Sequence, residues 1–371
     1  MKINIQSHVL RDGLNKVLTV IDKKNSRPIL TNCLINAYQG NIELIATDLE
    51  VMAKIIIPAN VSETGTFCIN TKNIFDIVRE LPNDEVELDI NKENNILNLN
   101  CKKINYSLLI TNSEDYPQVN FQSSGEAFKL KAEEVLKVIS KTSHSVSTDE
   151  TRINLNGIYL QKLDGKLRSV AIDGHRLALL DIHNFESNNQ SLIDGVIIPR
   201  KGITELKKIA ESNPEKDLTI SLDDSFMYIN SDDKYYLSIR MIAREYPKYQ
   251  TVIPSKTIHT MIVDRNSLFG AVKRIRLLSN EKTNGIKATL TNNQMEVSAN
   301  HPSLGHATEI IPVHYEGNEI EIGFNAKYML DSLQVLDVNE IIYEFNNELS
   351  PVVIRSNEIP DFLGIIMPLK L

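Results

Sequence analysis

The sequence predicts an α+β protein made of three repeats of about 120 residues, each with two helices packed on a mostly antiparallel sheet. The first observation is a short phrase that occurs three times, at residues 46–50, 171–177 and 298–302. Its polar residues Asp48, Asp173 and Asn300 lie about 125 residues apart. The second observation is that helix-like and strand-like periodicities alternate in the same order in each third. A period this long indicates a triplicated domain.

The helices follow from apolar spacing. Each third opens with an amphipathic pattern, and the apolar residues of the three patterns are Leu10, Leu14, Val17, Leu18 and Ile21, then Val135, Val138 and Ile139, then Leu268, Ala271, Val272, Ile275 and Leu278. A second helix is predicted around 71–80, 201–211 and 325–336. Asn70 and Asn325 suit the N-caps of the outer two, because their side chains accept bonds from the first helical N–H groups.

The strands follow from period-two alternation. Residues 41–45, 95–100, 218–222 and 295–298 alternate polar and apolar side chains, which is typical of strands with one buried face. The dipeptide Asp164-Gly165 predicts a hairpin turn between two strands, and Asn284-Gly285 is a second turn dipeptide. Residues 1–5 predict a first strand and not a signal peptide.

Composition sets limits on the class of protein. With 42% hydrophobic residues among 371, the chain can fill three cores, and it has no apolar run of about 18 residues to span a membrane. Cys33, Cys68 and Cys101 lack metal-site spacing, so we expect buried, reduced thiols in a cytosolic protein. Short joints place the predicted domains at residues 1–122, 127–254 and 255–371.

Charge is distributed unevenly along the chain. The net charge of −8 argues against a nucleic-acid partner. Yet the first helix of every third, and the second helix of the middle third, carry more Lys and Arg than Asp and Glu. This pattern fits a protein that contacts DNA phosphates on one face. Charge alone leaves open the alternative of ordinary solvated helix faces.

The best catalytic-looking pair is Asp173 and His175, because an Asp–His pair can act as a base. No nucleophile motif, phosphate loop or metal-ligand array accompanies it. In the other two repeats, the residues that match His175 are Glu50 and Pro302. A hydrolytic enzyme is therefore an alternative hypothesis only, and we expect no catalytic residue, no metal and no cofactor.

Further phrases occur in order along the whole chain: 27–30 (RPIL), 155–157 (LNG), 173–178 (DGHRLA), 198–202 (IPRKG), 278–282 (LSNEK), 321–325 (EIGFN) and the terminal 367–371 (MPLKL). Together with the threefold repeat, they resemble the bacterial sliding clamps, the β-subunit family of DNA polymerase III.

This resemblance implies a DNA clamp fold, in which two protomers join head to tail into a ring of six domains with the helices inside. It implies a non-catalytic processivity protein that encircles duplex DNA without sequence preference and is loaded by an ATP-dependent clamp loader. The implied partners are a second copy of the chain, the α subunit of DNA polymerase III, the clamp loader δ subunit and other proteins with a clamp-binding motif. The implied location is the cytoplasm, with no membrane contact. A duplex-binding repeat protein that does not encircle DNA is the remaining alternative.

The resemblance and the charge of the inner helices also imply which residues contact DNA or the second protomer. The DNA-contacting residues are predicted to be Lys24, Lys141, Arg152, Arg200, Lys201, Lys273, Arg274 and Arg276. Ile153 and Asn154 stand where a relative has two tyrosines, which leaves stacking on single-stranded template open. The ring interface is predicted to join Tyr106 of one protomer to Leu277 and Leu278 of the other.

A pocket for partner peptides is implied between the middle and last domains. One wall is predicted to consist of Leu155, Ile172, Gly174, His175, Arg176, Leu177, Pro247 and Val252. The other is predicted to consist of Asn325, Tyr328, Ile366, Met367, Pro368, Leu369 and Leu371. Aliphatic residues and Met suit an adaptable groove, and Gly174 lets a peptide backbone approach closely.

Overall fold

The computed structural model describes residues 1–22, 26–91, 94–123 and 125–370. The chain divides into two compact units. The first consists of Met1–Leu136, Ser187–Ser191 and Lys201–Met241, and the second of Lys137–Glu186, Leu192–Arg200 and Ile242–Leu371. The α-helices are α1 (Ser7–Leu18), α2 (Thr71–Glu80), α3 (Ala132–Thr142), α4 (Gln190–Asp194), α5 (Arg200–Ser212), α6 (Arg265–Ile275) and α7 (Ala326–Gln334).

The strands, in chain order, are β1 (Lys2–Gln6), β2 (Asn32–Tyr38), β3 (Asn41–Thr47), β4 (Val51–Pro58), β5 (Asn60–Glu63), β6 (Gly65–Asn70), β7 (Glu85–Asn91), β8 (Ile96–Cys101), β9 (Ile104–Leu109), β10 (Ala127–Lys131), β11 (Gly157–Leu163), β12 (Lys166–Ile172), β13 (Arg176–His183), β14 (Val196–Pro199), β15 (Asp217–Leu222), β16 (Phe226–Ser231), β17 (Tyr235–Arg240), β18 (His259–Asp264), β19 (Gly285–Thr291), β20 (Gln294–His301), β21 (Gly305–Pro312), β22 (His314–Tyr315), β23 (Ile320–Asn325), β24 (Glu340–Phe345), β25 (Val352–Arg355) and β26 (Phe362–Ile366).

The first unit contains two antiparallel sheets. Five strands follow the order β5-β1-β7-β8-β9, and eight follow the order β10-β15-β16-β17-β4-β3-β2-β6. Helix α1 packs against α2 and β4. Its residues Leu10, Leu14 and Val17 are fully buried, as their spacing predicts, whereas Ile21 lies beyond the end of the helix.

The second unit also contains two antiparallel sheets. Nine strands follow the order β14-β11-β12-β13-β26-β25-β24-β18-β22, and four follow the order β21-β20-β19-β23. Helix α6 packs against α7, β20 and β21, and it buries Leu268, Ala271, Val272 and Ile275. The strand β26 lies beside β13, so the last strand of the chain is bonded to the strand that follows Asp173.

Local sequence signals are confirmed. Helix α2 spans 71–80, and the side chains of Asn70 and Asn325 cap α2 and α7 by accepting bonds from N–H groups of the first turn. Asp164 and Gly165, with φ of 50° and 73°, form the turn between β11 and β12. Cys33, Cys68 and Cys101 are buried and free.

The third phrase differs from the other two in register. Asp48 and Asp173 lie in the turns that follow β3 and β12, but Asn300 is still within β20 and pairs with His306. The strand continues through His301 and the turn follows at 302–304, where His301 Nδ1 accepts a bond from the N–H of Ser303 at 3.3 Å. The prediction that Asn300 matches the two aspartates is therefore wrong by one position, because the imidazole of His301 supplies the acceptor.

Candidate functional site

The turn between β12 and β13 is an Asx turn built on Asp173. Its Oδ1 accepts bonds from the N–H groups of His175 and Arg176, both at 2.9 Å. Gly174 occupies the left-handed position of this turn, with φ of 90°. Such a φ disfavours residues with a Cβ. The bonds to Asp173 and the conformation of Gly174 therefore fix the backbone that carries His175 and Arg176.

Arg176 is a buried cation at the centre of a charge network. Its Nε donates to Asp173 Oδ2 at 3.0 Å, and its Nη1 donates to Asp331 Oδ2 at 2.7 Å. Only 8% of the residue is exposed. The guanidinium carbon lies 4.5 Å from the ring centroid of Tyr328. Two carboxylates and an aromatic face thus hold this cation in one orientation.

The C-terminal segment forms the neighbouring wall. The N–H of Met367 donates to the carbonyl of His175 at 2.8 Å, and the N–H of Leu369 donates to the carbonyl of Gly323 at 2.8 Å. The ring of His175 stacks on that of Tyr328 at 5.9 Å. These contacts bring residues from 173 to 177, from 323 to 328 and from 366 to 369 together.

The floor of this site is apolar. A cluster of buried residues includes Leu177, Val353 and Ile365, and Ile172, Val252 and Met367 pack against it while remaining partly exposed. Leu155 and Ile366 are buried. Pro247, Pro368, Leu369 and Tyr328 are partly exposed, and the side chain of Asn325 caps α7. Leu371 lies outside the described residues.

Burial and the carboxylate of Asp173 raise the pKa of Tyr328. Its hydroxyl therefore stays protonated at neutral pH and remains able to donate a hydrogen bond. The site thus combines an apolar floor with His175, Arg176 and Tyr328 as polar groups at its edge. Such a combination suits a short peptide that inserts apolar side chains and bonds through its backbone.

Several of the predicted DNA contacts have partners within the chain. Lys201 pairs with Asp48 and donates to the carbonyl of Val20 at 2.6 Å, and Lys141 donates to the carbonyl of Val335. Burial lowers the pKa of Lys141.

The other predicted cations that the structure describes are exposed. Arg274 Nε donates to Glu309 at 2.9 Å, Arg276 Nε donates to Asn284 at 3.2 Å, and Arg152 lies 3.6 Å from Asp149. Arg200 and Lys273 are also exposed. Lys24 lies outside the described residues.

One predicted interface residue lies on an edge strand, and two lie in a helical turn. Tyr106 is 38% exposed on β9, which is an edge of the five-stranded sheet. Leu277 is 79% exposed and Leu278 is partly exposed, in the helical turn after α6. The neighbouring edge of the four-stranded sheet is β21, which carries the exposed residue Ile310. Exposed apolar residues next to open strand edges are typical of an interface.

Three family models match successive segments of the chain: the N-terminal domain of the DNA polymerase III β subunit over 1–120, its central domain over 129–248 and its C-terminal domain over 250–370. The β sliding clamp of Proteus mirabilis is 30% identical, and that of Pseudomonas aeruginosa 29%, each with all of both chains covered. The solved sliding clamp of Bartonella birtlesii bound to griselimycin has a TM-score of 0.95 at 30% identity, with all of both chains covered.

The chain belongs to the bacterial β sliding clamp family. It therefore contains three clamp domains and functions as a sliding clamp, a non-catalytic processivity subunit in DNA replication. The domain boundaries at 122, 127 and 254 stay a prediction.

Family membership excludes the hydrolase hypothesis, and the geometry explains why. Both carboxylate oxygens of Asp173 accept bonds from the turn or from Arg176, and the ring of His175 stacks on Tyr328. The carboxylate of Asp173 is thus used to hold the turn and Arg176, and not to orient the ring of His175 as a base. Among the described residues, no group of three or more His, Cys, Asp or Glu side chains could hold a metal. Within that same part of the chain, no helix is long and apolar enough to cross a membrane.

Sequence reasoning missed three residues of the site. Asp331 holds Arg176, and Tyr159 stacks on Tyr246 at 4.6 Å, which fixes the segment that carries Pro247 and Val252. His144 lies beside Arg176 and Asp331, which both affect its pKa. The one available signal was the spacing of the repeats, because Asp331 is the sixth residue of α7, as Glu205 is of α5 and Asp76 of α2.

Proposed function

We propose that two copies of this chain close head to tail around duplex DNA and tether the replicative polymerase to it. The observation that carries this proposal is a contact that is made twice within the chain. In each case, one repeat contacts the second helix of the next repeat. The contact is made either by the residues that follow its first helix or by its Asx turn. A third contact of this kind requires a second copy.

The first of these joints lies within the first unit. The hydroxyl of Thr19 donates to Glu205 of α5 at 2.9 Å, and Lys201 of the same helix pairs with Asp48 of the turn. The second joint lies within the second unit, where Arg176 of the turn bonds to Asp331 of α7. In both joints, the sixth residue of the later helix is the acid that is engaged.

The third joint is incomplete in a single chain. Leu277 stands at the position of Thr19, since each is the thirteenth residue counted from the start of its helix, at Arg265 and Ser7 respectively. Asp76, the sixth residue of α2, pairs with Lys72 and Arg79 of its own helix. We infer that Leu277 and Leu278 of one protomer meet α2 and the Tyr106 region of the other. Two such joints close the ring.

Encirclement explains how a chain of net charge −8 holds DNA. The net positive helices α1, α5 and α6, and the α3 region with Lys131, are proposed to face the duplex, through loose contacts to phosphates that carry no sequence information. The DNA-contacting role extends to Lys24, Arg152 and Arg200 by their match to the family. A clamp loader that uses ATP is proposed to open the ring.

The decisive experiment places the protein on nicked circular DNA with a clamp loader and then linearises the DNA. We expect retention on the circle and loss from the linear product, because a ring slides off a free end. A duplex-binding protein that does not encircle DNA would stay bound to both. Equal retention on both would therefore refute encirclement.

The pocket at His175, Arg176 and Tyr328 is proposed to bind short motifs of the polymerase α subunit, the clamp loader δ subunit and other partners. It is supported by its apolar floor and its few polar edge groups. Deleting 367–371 removes one wall. If on the order of 100 Å² of apolar contact is lost, affinity falls by about 2.5 kcal/mol, or nearly a hundredfold. The measurement is polarisation of a fluorescent Gln-x-x-Leu-x-Phe peptide, with native mass to show that the dimer persists.

A further inference from the structure

Asp331 is a partly exposed residue that bonds to the pocket but does not itself lie on the predicted pocket walls. Its Oδ2 accepts from Arg176 Nη1 at 2.7 Å, while Asp173 accepts from Nε of the same guanidinium at 3.0 Å. An arginine held at two of its nitrogen atoms cannot rotate without breaking a charge-assisted bond. Asp331 therefore restricts the direction in which Arg176 presents its remaining N–H groups.

The first unit contains the same arrangement without the arginine. Asp48 Oδ1 accepts from the N–H groups of Glu50 and Val51 at 3.0 and 2.8 Å, just as Asp173 does in its own turn. The residue at the position of Arg176 is thus Val51, which is fully buried and apolar. The turn of the first unit offers no cation to the acid of the next helix.

The acid in the first unit has other partners. Glu205 is almost fully buried, and it accepts from the hydroxyl of Thr19 at 2.9 Å and from Lys208 at 2.8 Å. Glu205 therefore joins the end of α1 to α5. In the second unit, the equivalent acid Asp331 is bonded to the turn instead, which is where the candidate pocket lies.

His144 explains why Asp331 is available to the turn. It stands at the position of Thr19, the thirteenth residue counted from the start of α3 at Ala132. Within the described part of the chain, His144 Nδ1 is buried and has no hydrogen-bond partner, so it does not bond to Asp331. Burial and the nearby Arg176 lower the pKa of His144 to about 4. The imidazole is consequently neutral at pH 7, and the carboxylate of Asp331 pairs with Arg176.

We propose that Asp331 is a positioning residue for peptide recognition: it fixes the guanidinium of Arg176 in the pocket, and His144 leaves its carboxylate free to do so. This inference rests on the proposed function of the pocket. It predicts that the charge of Asp331 sets peptide affinity although Asp331 need not touch the peptide.

The test measures binding of the fluorescent Gln-x-x-Leu-x-Phe peptide to the full chain. Asp331→Asn keeps the shape of the side chain but removes its charge, and we expect about tenfold weaker binding. The matched control is Glu205→Gln, the same change at the equivalent position of the first unit, which should leave peptide affinity unchanged. An Asp331→Asn protein that binds as the wild type does would overturn the proposal.

A double-mutant cycle separates positioning from a general structural effect. In an Arg176→Met background, Asp331→Asn should have no further effect on peptide affinity, because its target is already gone. Additive losses would show that Asp331 does not act through Arg176, which would refute the proposal. If the wild-type protein itself does not bind the peptide, that result refutes the proposed pocket. It is thereby distinguished from a failure of the role proposed for Asp331.

A second variant covers the case in which Asp331→Asn does not fold. His144→Thr copies the first unit by placing a hydroxyl donor beside Asp331, which then competes with Arg176. We expect peptide affinity to fall severalfold with the thermal midpoint unchanged or raised. His144→Val, which has a similar shape but no donor, should bind like the wild type. Equal affinity for the two variants would overturn the proposal.

Discussion

Leu49 and Gly174 occupy the same left-handed position in two equivalent turns, with φ of 78° and 90°. A left-handed conformation costs a residue with a Cβ about 1–2 kcal/mol, and glycine avoids that cost. A Cβ on Gly174 would lie 2.7 Å from Arg152 Nη1. The glycine therefore leaves room for Arg152 and, in the proposed pocket, for a peptide backbone above the turn.

Gly174→Ala is expected to lower the free energy of unfolding by about 1 kcal/mol, from backbone strain. It is also expected to weaken peptide binding, because the methyl group displaces Arg152 and fills the approach to the turn. Gly165→Ala is the matched control, since Gly165 has φ of 73° but open space around its Cβ position. It should show the same loss in urea unfolding with normal peptide binding. Equal affinities for the two variants would contradict this account of Gly174.

His144 is expected to make stability depend on pH. Its pKa is lowered to about 4 in the folded chain, chiefly by burial, against about 6.5 when unfolded. The unfolded state therefore binds the proton more readily. The contribution of His144 to stability is therefore complete above about pH 6.5, and it is lost as the pH falls through about 4.

Urea unfolding at pH 7 and pH 4.5 measures this contribution. The loss of unfolding free energy between the two should be smaller in His144→Phe than in the wild type, by up to about 2 kcal/mol. The exposed residue His314 supplies the control, as His314→Phe should follow the wild type. Parallel losses in all three proteins would mean that His144 titrates normally.

At the scale of elements, Leu277 is the clearest test of the interface. It is 79% exposed in the protomer, so a polar replacement there should leave the fold intact. If it is buried against a second copy, Leu277→Asp places an unpaired charge in an apolar contact. We expect dimer dissociation to become about a hundredfold more favourable, measured by sedimentation at nanomolar concentration. Ile258→Asp, at a 77% exposed site beside β24 in the nine-stranded sheet, should remain dimeric.

Elements set by neighbouring residues could be predicted from the sequence, and those set by distant pairing could not. Asn70 caps α2 and Asp164-Gly165 turns a hairpin because the groups involved lie within a few residues. The pairing of β26 with β13 joins segments that are far apart in the chain, so no local pattern encodes it. The same limit hid the bond from Arg176 to Asp331 and left the pocket to be inferred by family resemblance.

At the scale of the whole molecule, the net charge of −8 limits how DNA can be held. Lys201 pairs with Asp48, Lys141 bonds to a backbone carbonyl and Arg274 pairs with Glu309, so these cations are partly neutralised within the chain. Few phosphate contacts then remain for each protomer, and each is weak at physiological salt. A closed ring can stay on DNA despite such weak contacts, because departure requires opening the ring.

Retention of loaded protein on circular DNA should therefore withstand salt concentrations that abolish its binding to linear DNA. We expect no stable binding to a short linear duplex at about 0.15 M salt, but retention of loaded protein on nicked circles through washes at about 0.5 M. Lys273→Ala and Arg276→Ala should weaken linear binding at low salt and reduce its salt dependence. The same changes should leave retention on circles intact, because a topological link does not depend on phosphate contacts. Gel filtration of loaded circles across a salt series measures both quantities. Release from circles at the salt that abolishes linear binding would show that electrostatics, and not ring closure, holds this chain on DNA.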